Sequence, residues 1–377
     1  MAVDQYADID CTKRVFAERL PPTYLVAFFV ALDGFFILVL LPEVTGRIKL
    51  FADLAVNWIY VGLTWFIGCA LAVLILLLVW LAALVFGKFV HLLNYKKMVS
   101  GSVFTGVVIF SLLLTTVVIL VGCGSYEVVH ESIVLDNWHA DKKIRVAFFS
   151  DAHLGFDDNV QKLAGVCALI VAEKCDIAVY CGDLVDDMTM LPGAAAQLGT
   201  LAEKLPQGLY FVDGNGDSTD GNWNKIRTQL LNYHVKVLNN AVVDIGDSGH
   251  PLLLVGIEYA SLNNDDTFDP VRQKEYLQKT CAGLSEYAPK ILLAHTPEII
   301  TWVKPHQFDI LLFGHTHGGQ VSVGNYRFLG NEYKYISGKY QEDGSTIIVN
   351  NGIGQWFPVR INVPQQLHII DIYPGRQ

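Results

Sequence analysis

The sequence is poor in basic residues and contains no internal repeat, no low-complexity tract and no CxxC pair. The lack of a repeat excludes a solenoid or another array architecture. The seven cysteines show no zinc-type spacing, which excludes a cysteine-based zinc module, and they do not define a disulfide pair. The 27 Lys and Arg residues are outnumbered by 37 Asp and Glu residues, so the formal net charge is −10.

The negative charge is concentrated beyond residue 123. Residues 1–123 carry 8 basic and 7 acidic side chains, whereas the remainder carries 19 basic and 30 acidic ones, a net charge of −11. An acidic domain is repelled by nucleic acid phosphates unless metal ions intervene. We therefore expect no nucleic acid partner.

Long apolar runs, by contrast, are abundant in the first third of the chain. Hydrophobic residues make up 52% of the sequence and the mean hydropathy is +0.36. Three runs without a polar face cover about residues 23–41, 58–86 and 101–122. Each is long enough to cross a bilayer core of ~30 Å as a helix. We predict that residues 1–123 form a membrane domain with three transmembrane helices and that the lipid bilayer is a partner.

The basic residues of the loops give these predicted helices an orientation. Six Lys and Arg residues lie in the N-terminal segment and in the loop between the second and third runs, against two on the other side. Because cytoplasmic loops carry the excess of basic residues, the N-terminus is placed in the cytoplasm and everything after Gly122 outside. The prediction is a multi-pass protein of the inner cell membrane with an extracytoplasmic C-terminal domain.

The pattern changes to short apolar strands at Ile144, after a linker and first hairpin strand within residues 124–143. Strands such as IRVAFFS (144–150) alternate with helical segments such as residues 159–174. This alternation predicts a layered α/β domain over residues 144–377, with central strands buried on both faces. The later segments PLLLVGIE, STIIVNNGIG and QLHIIDIY are expected to add antiparallel strands to a second sheet.

Five of the predicted strands are followed by residues of the types that commonly serve as metal ligands. In chain order, these residues are Asp151, His153, Asp183, Asn215, His295, His315 and His317. Loops beyond the carboxyl ends of such strands converge, and the i, i+2 pairs in DAH and GHTH are expected to point the same way from extended backbone. Carboxylate, imidazole and amide donors suit Mn²⁺, Fe²⁺ or Zn²⁺. Seven ligands are too many for one ion, so we expect two divalent metal ions bridged by Asp183.

The motifs SDAHLG, CGDLVDD, DGNGD, LAHTPE and FGHTHGGQ together resemble the calcineurin-like metallophosphoesterase superfamily, over about Ile144 to Ile372. The segments GHTHGGQ and NNGIGQWFPVRI are similar to its bacterial branch with N-terminal membrane helices. The resemblance implies a four-layer α/β/β/α sandwich, here preceded by the three transmembrane helices. It implies that Asp151, His153, Asp183 and His317 hold one metal, and that Asp183, Asn215, His295 and His315 hold the other. A hydroxide between the metals would attack phosphorus, and we expect Asp183, Asn215 and His315 to take part in catalysis.

One motif position departs from this resemblance. The superfamily has G-N-H-D/E, in which the histidine assists the leaving group, and this sequence has Gly216 at that position. Three interpretations stay open: a metal-binding pseudoenzyme or sensor, replacement of the histidine by a group such as His234, His250 or Asp217, or a leaving group that needs no acid. A pyrophosphate bond meets the third condition, because a phosphate monoester leaves with a pKa of ~6.

The predicted function is a membrane-anchored binuclear-metal phosphohydrolase that cleaves a phosphodiester or pyrophosphate bond of a lipid-linked or envelope substrate. One alternative is a UDP-2,3-diacylglucosamine pyrophosphohydrolase of lipid A synthesis, an activity that the resemblance includes. Its substrate is presented at the cytoplasmic face, which conflicts with the predicted topology. A metal-binding pseudoenzyme or sensor also fits the motifs, and so does a soluble nucleotide phosphodiesterase, although the latter leaves the apolar runs unexplained.

Overall fold

The computed structural model of the protein describes residues 126–155, 160–262, 267–303, 307–323, 326–327, 330, 333–356 and 360–375. None of the helices in this part combines the length and apolarity that a bilayer span requires. This finding contradicts the predicted location as a multi-pass protein of the inner membrane. The three predicted spans themselves, 23–41, 58–86 and 101–122, lie outside the described residues.

The described chain is a succession of short strands and helices. In chain order they are β1 (Tyr126–Leu135), β2 (Ile144–Phe149), α1 (Val160–Ala172), β3 (Ile177–Cys181), α2 (Leu191–Lys204), β4 (Leu209–Val212), α3 (Asn215–Ser218), α4 (Trp223–Asn232), β5 (Lys236–Val237), β6 (Ala241–Asp244), β7 (Leu253–Ile257), α5 (Pro270–Cys281), β8 (Lys290–Ala294), α6 (Ile300–Val303), β9 (Ile310–Phe313), β10 (Ser322–Val323), β11 (Tyr326–Arg327), β12 (Gly338–Glu342), β13 (Ser345–Val349) and β14 (Gln365–Pro374).

Two six-stranded mixed sheets contain most of these strands. The first has the order β1-β14-β2-β3-β4-β5 and the second the order β12-β13-β9-β8-β7-β6, while β10 and β11 form a separate two-stranded ribbon. Strands β2, β3 and β4 are parallel to one another, and so are β7, β8, β9 and β13. This architecture confirms the predicted α/β sandwich.

Alternation along the central strands explains the layering. In β2, Val146 and Phe148 belong to the core between the sheets, whereas Ala147 and Phe149 face the core beneath helices α1, α2 and α4. In β9, Leu312 lies in the inner core, whereas the residues on either side of it face the core under α5 and α6. Strands buried on both faces therefore read as continuous apolar runs. Each buried Leu, Ile or Phe contributes roughly 1.5–3 kcal/mol to this packing.

Two of the expectations about strand pairing are wrong and a third is partly confirmed. Strand β1 does not form a hairpin, because it pairs in parallel with β14 over ten residues. The segment QLHIIDIY joins the first sheet, antiparallel to β2, because Leu367 and Ile369 pack into the helix-side core and Ile370 and Ile372 into the inner core. The segments containing β7 and β13 do join the second sheet, where each has one antiparallel neighbour, as expected, and one parallel neighbour.

The cysteines of the described region are thiols. Cys167, Cys175, Cys181 and Cys281 are all buried and free. Burial raises the pKa of the Cys167 and Cys175 thiols to about 12. These side chains therefore act as small core residues rather than as nucleophiles.

Candidate metal centre

Five loops at one edge of the two sheets carry the seven ligand residues expected from the sequence. They follow β2, β3, β4, β8 and β9, and backbone hydrogen bonds connect them. The His153 amide donates to the Asp183 carbonyl over 3.2 Å, and the Gly314 amide donates to the His295 carbonyl over 2.9 Å. The His315 amide donates to the Asp151 carboxylate of the other sheet over 3.1 Å. The sandwich therefore brings ligands from both sheets to one place.

The first group of metal-type ligands consists of Asp151, His153 and His317. Their ligand atoms all lie within 4.8 Å of one another. The Nε2 atoms of His153 and His317 are 3.0 Å apart, and His317 Nε2 is 3.5 Å from Asp151 Oδ1. All three side chains are buried or nearly so, so the group forms a small enclosed cluster of nitrogen and oxygen donors.

The second group consists of Asp183, His295 and His315, again with ligand atoms within 4.8 Å of one another. His295 Nε2 lies 3.2 Å from His315 Nδ1. Asn215 belongs to the same cluster, because its Oδ1 lies 2.9 Å from His295 Nε2. An amide oxygen, a carboxylate and two imidazoles thus face one point, a donor set that suits a borderline divalent ion.

Asp183 connects the two groups through one oxygen atom. Its Oδ2 is 3.4 Å from His153 Nε2 in the first group and 3.3 Å from His295 Nε2 in the second. Its Oδ1 accepts a hydrogen bond from the Gly216 amide over 2.8 Å. One carboxylate is therefore fixed by the backbone on one side and shared by both groups on the other.

The backbone at these ligands is not extended, in contrast to the expectation for DAH and GHTH. The φ angles of Asp151, His153, Asp183, His315 and His317 are 53°, 42°, 59°, 70° and 50°. The left-handed region costs non-glycine residues roughly 1–2 kcal/mol each, so the surrounding hydrogen bonds must hold these loops in place. As a consequence, His315 and His317 do not point the same way: they belong to different groups.

Carboxylates favour positive charge at His153 and His295, whereas burial lowers the pKa of the other two histidines of the cluster. Burial opposes protonation of His295, but the Asp183 carboxylate outweighs it and raises the pKa of His295 to about 10. At His153, burial is likewise outweighed by Asp186, and the pKa rises to about 9. Burial raises the pKa of Asp151 to about 6. Buried carboxylates that stabilise positive charge on their neighbours can also stabilise a divalent metal ion. The residues of both groups are suitable ligands for such an ion.

The ring nitrogens that face away from the groups have partners of their own. His153 Nδ1 lies 2.7 Å from Asp186 Oδ1, and His295 Nδ1 lies 2.8 Å from the Cys181 carbonyl. These contacts fix the ring orientations, as the outer partners of metal-binding histidines generally do. Sequence reasoning missed Asp186, although it lies in the motif CGDLVDD.

Behind the first group lies a buried arginine that sequence reasoning also missed. Arg360 is only 1% exposed. Its Nη2 donates to the carbonyls of Asn351 over 2.7 Å and of Gly354 over 2.6 Å, and it lies 3.1 Å from His317 Nδ1. The guanidinium therefore ties the chain after β13 to the back of His317. The segment QWFPVRI, which contributes to the family resemblance, contains this residue and could have indicated it.

The three groups considered as substitutes for a histidine at position 216 lie elsewhere or are engaged. The ring of His250 contacts Asp247, 3.0 Å away, and the ring is more than a third exposed. His234 follows α4 and is exposed. Asp217 is fully buried and accepts hydrogen bonds from the amides of Asp183, Leu184 and Gly214. Asp217 therefore anchors the loops after β3 and β4.

Comparison with known proteins agrees with this geometry. Residues 144–319 match the sequence model of the family described as calcineurin-like phosphoesterase. A protein of Helicobacter pylori strain J99, named an uncharacterized metallophosphoesterase, is 27% identical over 63% of this chain and 62% of its own length. A zebrafish (Danio rerio) protein, named a transmembrane protein with metallophosphoesterase domain, is 29% identical over 58% of this chain and 50% of its own length.

Among solved structures, a dimetal phosphatase from Danio rerio is 12% identical and has a TM-score of 0.39, over 58% of this chain and 90% of that one. The family match and the sequence relatives, rather than this partial likeness, identify the domain type. The alignments span less than two thirds of each of the two curated relatives described, 62% and 50% of their lengths. The predictions of a metal-dependent phosphoesterase domain and of a dinuclear divalent metal site are confirmed.

Proposed function

Because the chain carries a calcineurin-like metallophosphoesterase domain, we propose that it hydrolyses a phosphodiester or pyrophosphate bond and prefers pyrophosphates. The observation that carries the proposal is the position of Asp183 Oδ2, within 3.4 Å of an imidazole nitrogen in each group. A carboxylate oxygen shared in this way is the bridging ligand that a two-metal site needs.

The seven candidate ligands form two sets, one for each of two metal ions. Asp151, His153 and His317 would hold one, and Asn215, His295 and His315 the other, with Asp183 shared between them. When bound, the ions would activate water and neutralise the charge of the phosphoryl group. The protein's own part is to hold seven donors rigidly at one sheet edge and to keep the carboxylates buried.

The preference for pyrophosphates follows from Gly216, which offers no side chain to protonate a leaving group. Its amide is occupied by Asp183 Oδ1 at 2.8 Å, and the neighbouring Asp217 accepts three backbone amides. An alkoxide leaving group is strongly basic and benefits from a general acid, an effect worth roughly 10²–10⁴-fold in rate. A phosphate monoester departs with a pKa of ~6 and does not need that proton.

A substrate series tests this proposal with purified protein in Mn²⁺. The compounds are glycerophosphocholine as an alkyl phosphodiester, UDP-glucose as a soluble pyrophosphate, and UDP-2,3-diacylglucosamine as a lipid-linked pyrophosphate. We expect kcat/KM for at least one pyrophosphate to exceed that for the alkyl diester by ~100-fold or more. A diester rate equal to both pyrophosphate rates would contradict the leaving-group argument. Turnover of none, with two ions bound, would favour a metal-binding sensor.

Matched variants tie any activity to this site. Asp183→Ala removes the shared carboxylate and should reduce hydrolysis to background. Asp187→Ala changes the acidic residue four positions on, whose side chain accepts only the amide of Thr189 among its described contacts, and it should keep the activity. Full activity in Asp183→Ala would overturn the two-metal assignment.

A further inference from the structure

We propose that Tyr333 is a positioning residue for the second metal group, where it holds the His315 ring so that Nδ1 is the metal-binding nitrogen. The inference concerns metal binding. Only the effect of Tyr333 on catalytic rate rests on the proposed function. The experiments that test the inference do not require substrate turnover.

The geometry around His315 carries this proposal. His315 Nε2 lies 2.9 Å from the Tyr333 hydroxyl, on the side of the ring away from the group. His315 Nδ1 lies 3.2 Å from His295 Nε2, inside the group. The two aromatic rings meet edge to face, with centroids 5.5 Å apart at an angle of 85°. Both ring nitrogens of His315 therefore have a fixed direction.

Hydrogen-bond chemistry then connects the tautomer of His315 to metal binding. A neutral imidazole carries one N–H, and a metal ligand must present its other nitrogen as a lone pair. If Nε2–H donates to the Tyr333 oxygen, the lone pair of Nδ1 faces Asp183 and His295. In the opposite tautomer, a hydrogen on Nδ1 would point at His295 Nε2 and block coordination. A phenol hydroxyl can also donate, so Tyr333 does not exclude the opposite tautomer; as the acceptor for Nε2–H, it stabilises the tautomer that can bind metal.

Two of the other histidines support this interpretation by their contrast. His153 and His295 both direct Nε2 into their groups, because their Nδ1 atoms meet Asp186 and the Cys181 carbonyl. His315 is turned the other way, with Nδ1 inward. In that orientation Nε2 faces outward, and the Tyr333 hydroxyl is its partner.

The segment containing Tyr333 is itself fastened to the site. The Thr316 hydroxyl, between the two histidines of GHTH, donates to the Ile336 carbonyl over 2.7 Å. The Tyr340 hydroxyl accepts the amides of Ile336 and Ser337 over 3.2 and 3.3 Å. The Ser337 hydroxyl bonds Asn351 Oδ1 over 2.6 Å. These contacts hold the 333–337 segment against the loop after β9, so the phenol has a defined place.

Mn²⁺ titration of the metal-free protein by calorimetry tests the proposal. We expect two sites in the wild type. In Tyr333→Phe, one site should weaken by about 10-fold or more and the other should stay unchanged, since outer partners typically set metal affinity by 10–100-fold. Tyr287→Phe removes a hydroxyl from a side chain that is 86% exposed, and it should match the wild type. Unchanged affinity at both sites in Tyr333→Phe would overturn the proposal.

A second measurement decides the matter even if Tyr333→Phe folds poorly. Nitrogen chemical shifts of ¹⁵N-histidine-labelled wild-type protein, free of metal, report which ring nitrogen carries the hydrogen. His315 should carry it on Nε2, and a hydrogen on Nδ1 would refute the assignment. Neither experiment depends on a substrate, so failure of the proposed hydrolase function and failure of this proposal are separate results.

Discussion

Replacement of Asp217 by Asn tests whether a buried carboxylate holds the shared metal ligand in place. Asp217 Oδ2 accepts the amides of Asp183 over 2.8 Å and of Gly214 over 3.0 Å, while Oδ1 accepts the amide of Leu184 over 2.9 Å. An asparagine has one acceptor oxygen, so its amino group must face at least one of these N–H donors. The loop after β3, which carries Asp183, would lose part of its anchor.

The magnitude follows from these three bonds. A hydrogen bond to a charged group contributes about 1.5–3 kcal/mol, and an unpaired buried amide costs about 1–3 kcal/mol. Removal of a buried charge offsets part of this loss, because burial and the Asp183 charge raise the pKa of Asp217 to about 6. We expect a net destabilisation of about 2 kcal/mol, which for a domain of this size lowers Tm by about 4–8 °C.

Thermal unfolding and Mn²⁺ titration of Asp217→Asn give the two readouts. Both Tm and metal affinity should fall, because the peptide that carries Asp183 is no longer fixed. Asp187→Asn is the matched control: it makes the same chemical change at an exposed helix cap, where asparagine caps about as well. Wild-type stability and wild-type metal affinity in Asp217→Asn would refute the anchoring argument.

Two further predictions address the leaving group and the sheet. Gly216→His should raise kcat/KM for glycerophosphocholine by ~10-fold or more while changing the pyrophosphate rate less; an equal change for both substrates would contradict the role assigned to Gly216. In Asp371→Asn, loss of the bidentate Arg145 pair and of the Lys143 contact should cost about 1–2 kcal/mol at pH 7. The Arg145 hydrogen bond lowers the pKa of Asp371 to about 2, below an unfolded value of ~3.9. The difference from wild type in urea denaturation should therefore shrink as the pH falls below ~4, and a constant difference from pH 7 to pH 3 would contradict it.

The strands that carry the site were predictable from the sequence because their local signal is strong. Strands β2, β3 and β9 are buried on both faces. The ends of each apolar run in the sequence therefore lie close to the ends of the strand. The polar residues after each run then lie at one edge because parallel strands end together. This reasoning placed the candidate ligands at one edge without any knowledge of their mutual distances.

The backbone conformation of the ligands was not predictable in the same way. Left-handed φ angles at Asp151 and His153 are imposed by tertiary contacts, in which their amides donate to the carbonyls of Gly182 and Asp183. A local rule for extended chains did bring Asp151 and His153 into one group, but it failed for His315 and His317, which belong to different groups. Tyr333 escaped notice for a related reason: it meets His315 from 18 positions away along the chain, and the segment 333–337 that carries it contains no metal-type residue.

The consequence of glycine at position 216 follows from the two oxygens of Asp183. The Gly216 amide holds Oδ1 at 2.8 Å, while Oδ2 faces an imidazole of each group. A Cβ at position 216 would lie 3.1 Å from Oδ1, so a larger side chain fits only if Asp183 shifts by a few tenths of an ångström. The backbone amide of residue 216 thus positions the shared ligand Asp183 without any side chain. A side chain at position 216 is needed only to give a proton to the leaving group. Absence of the histidine therefore removes a proton donor without removing a metal ligand. The preference for one leaving group over another can change in this way while both groups of metal-type ligands stay intact.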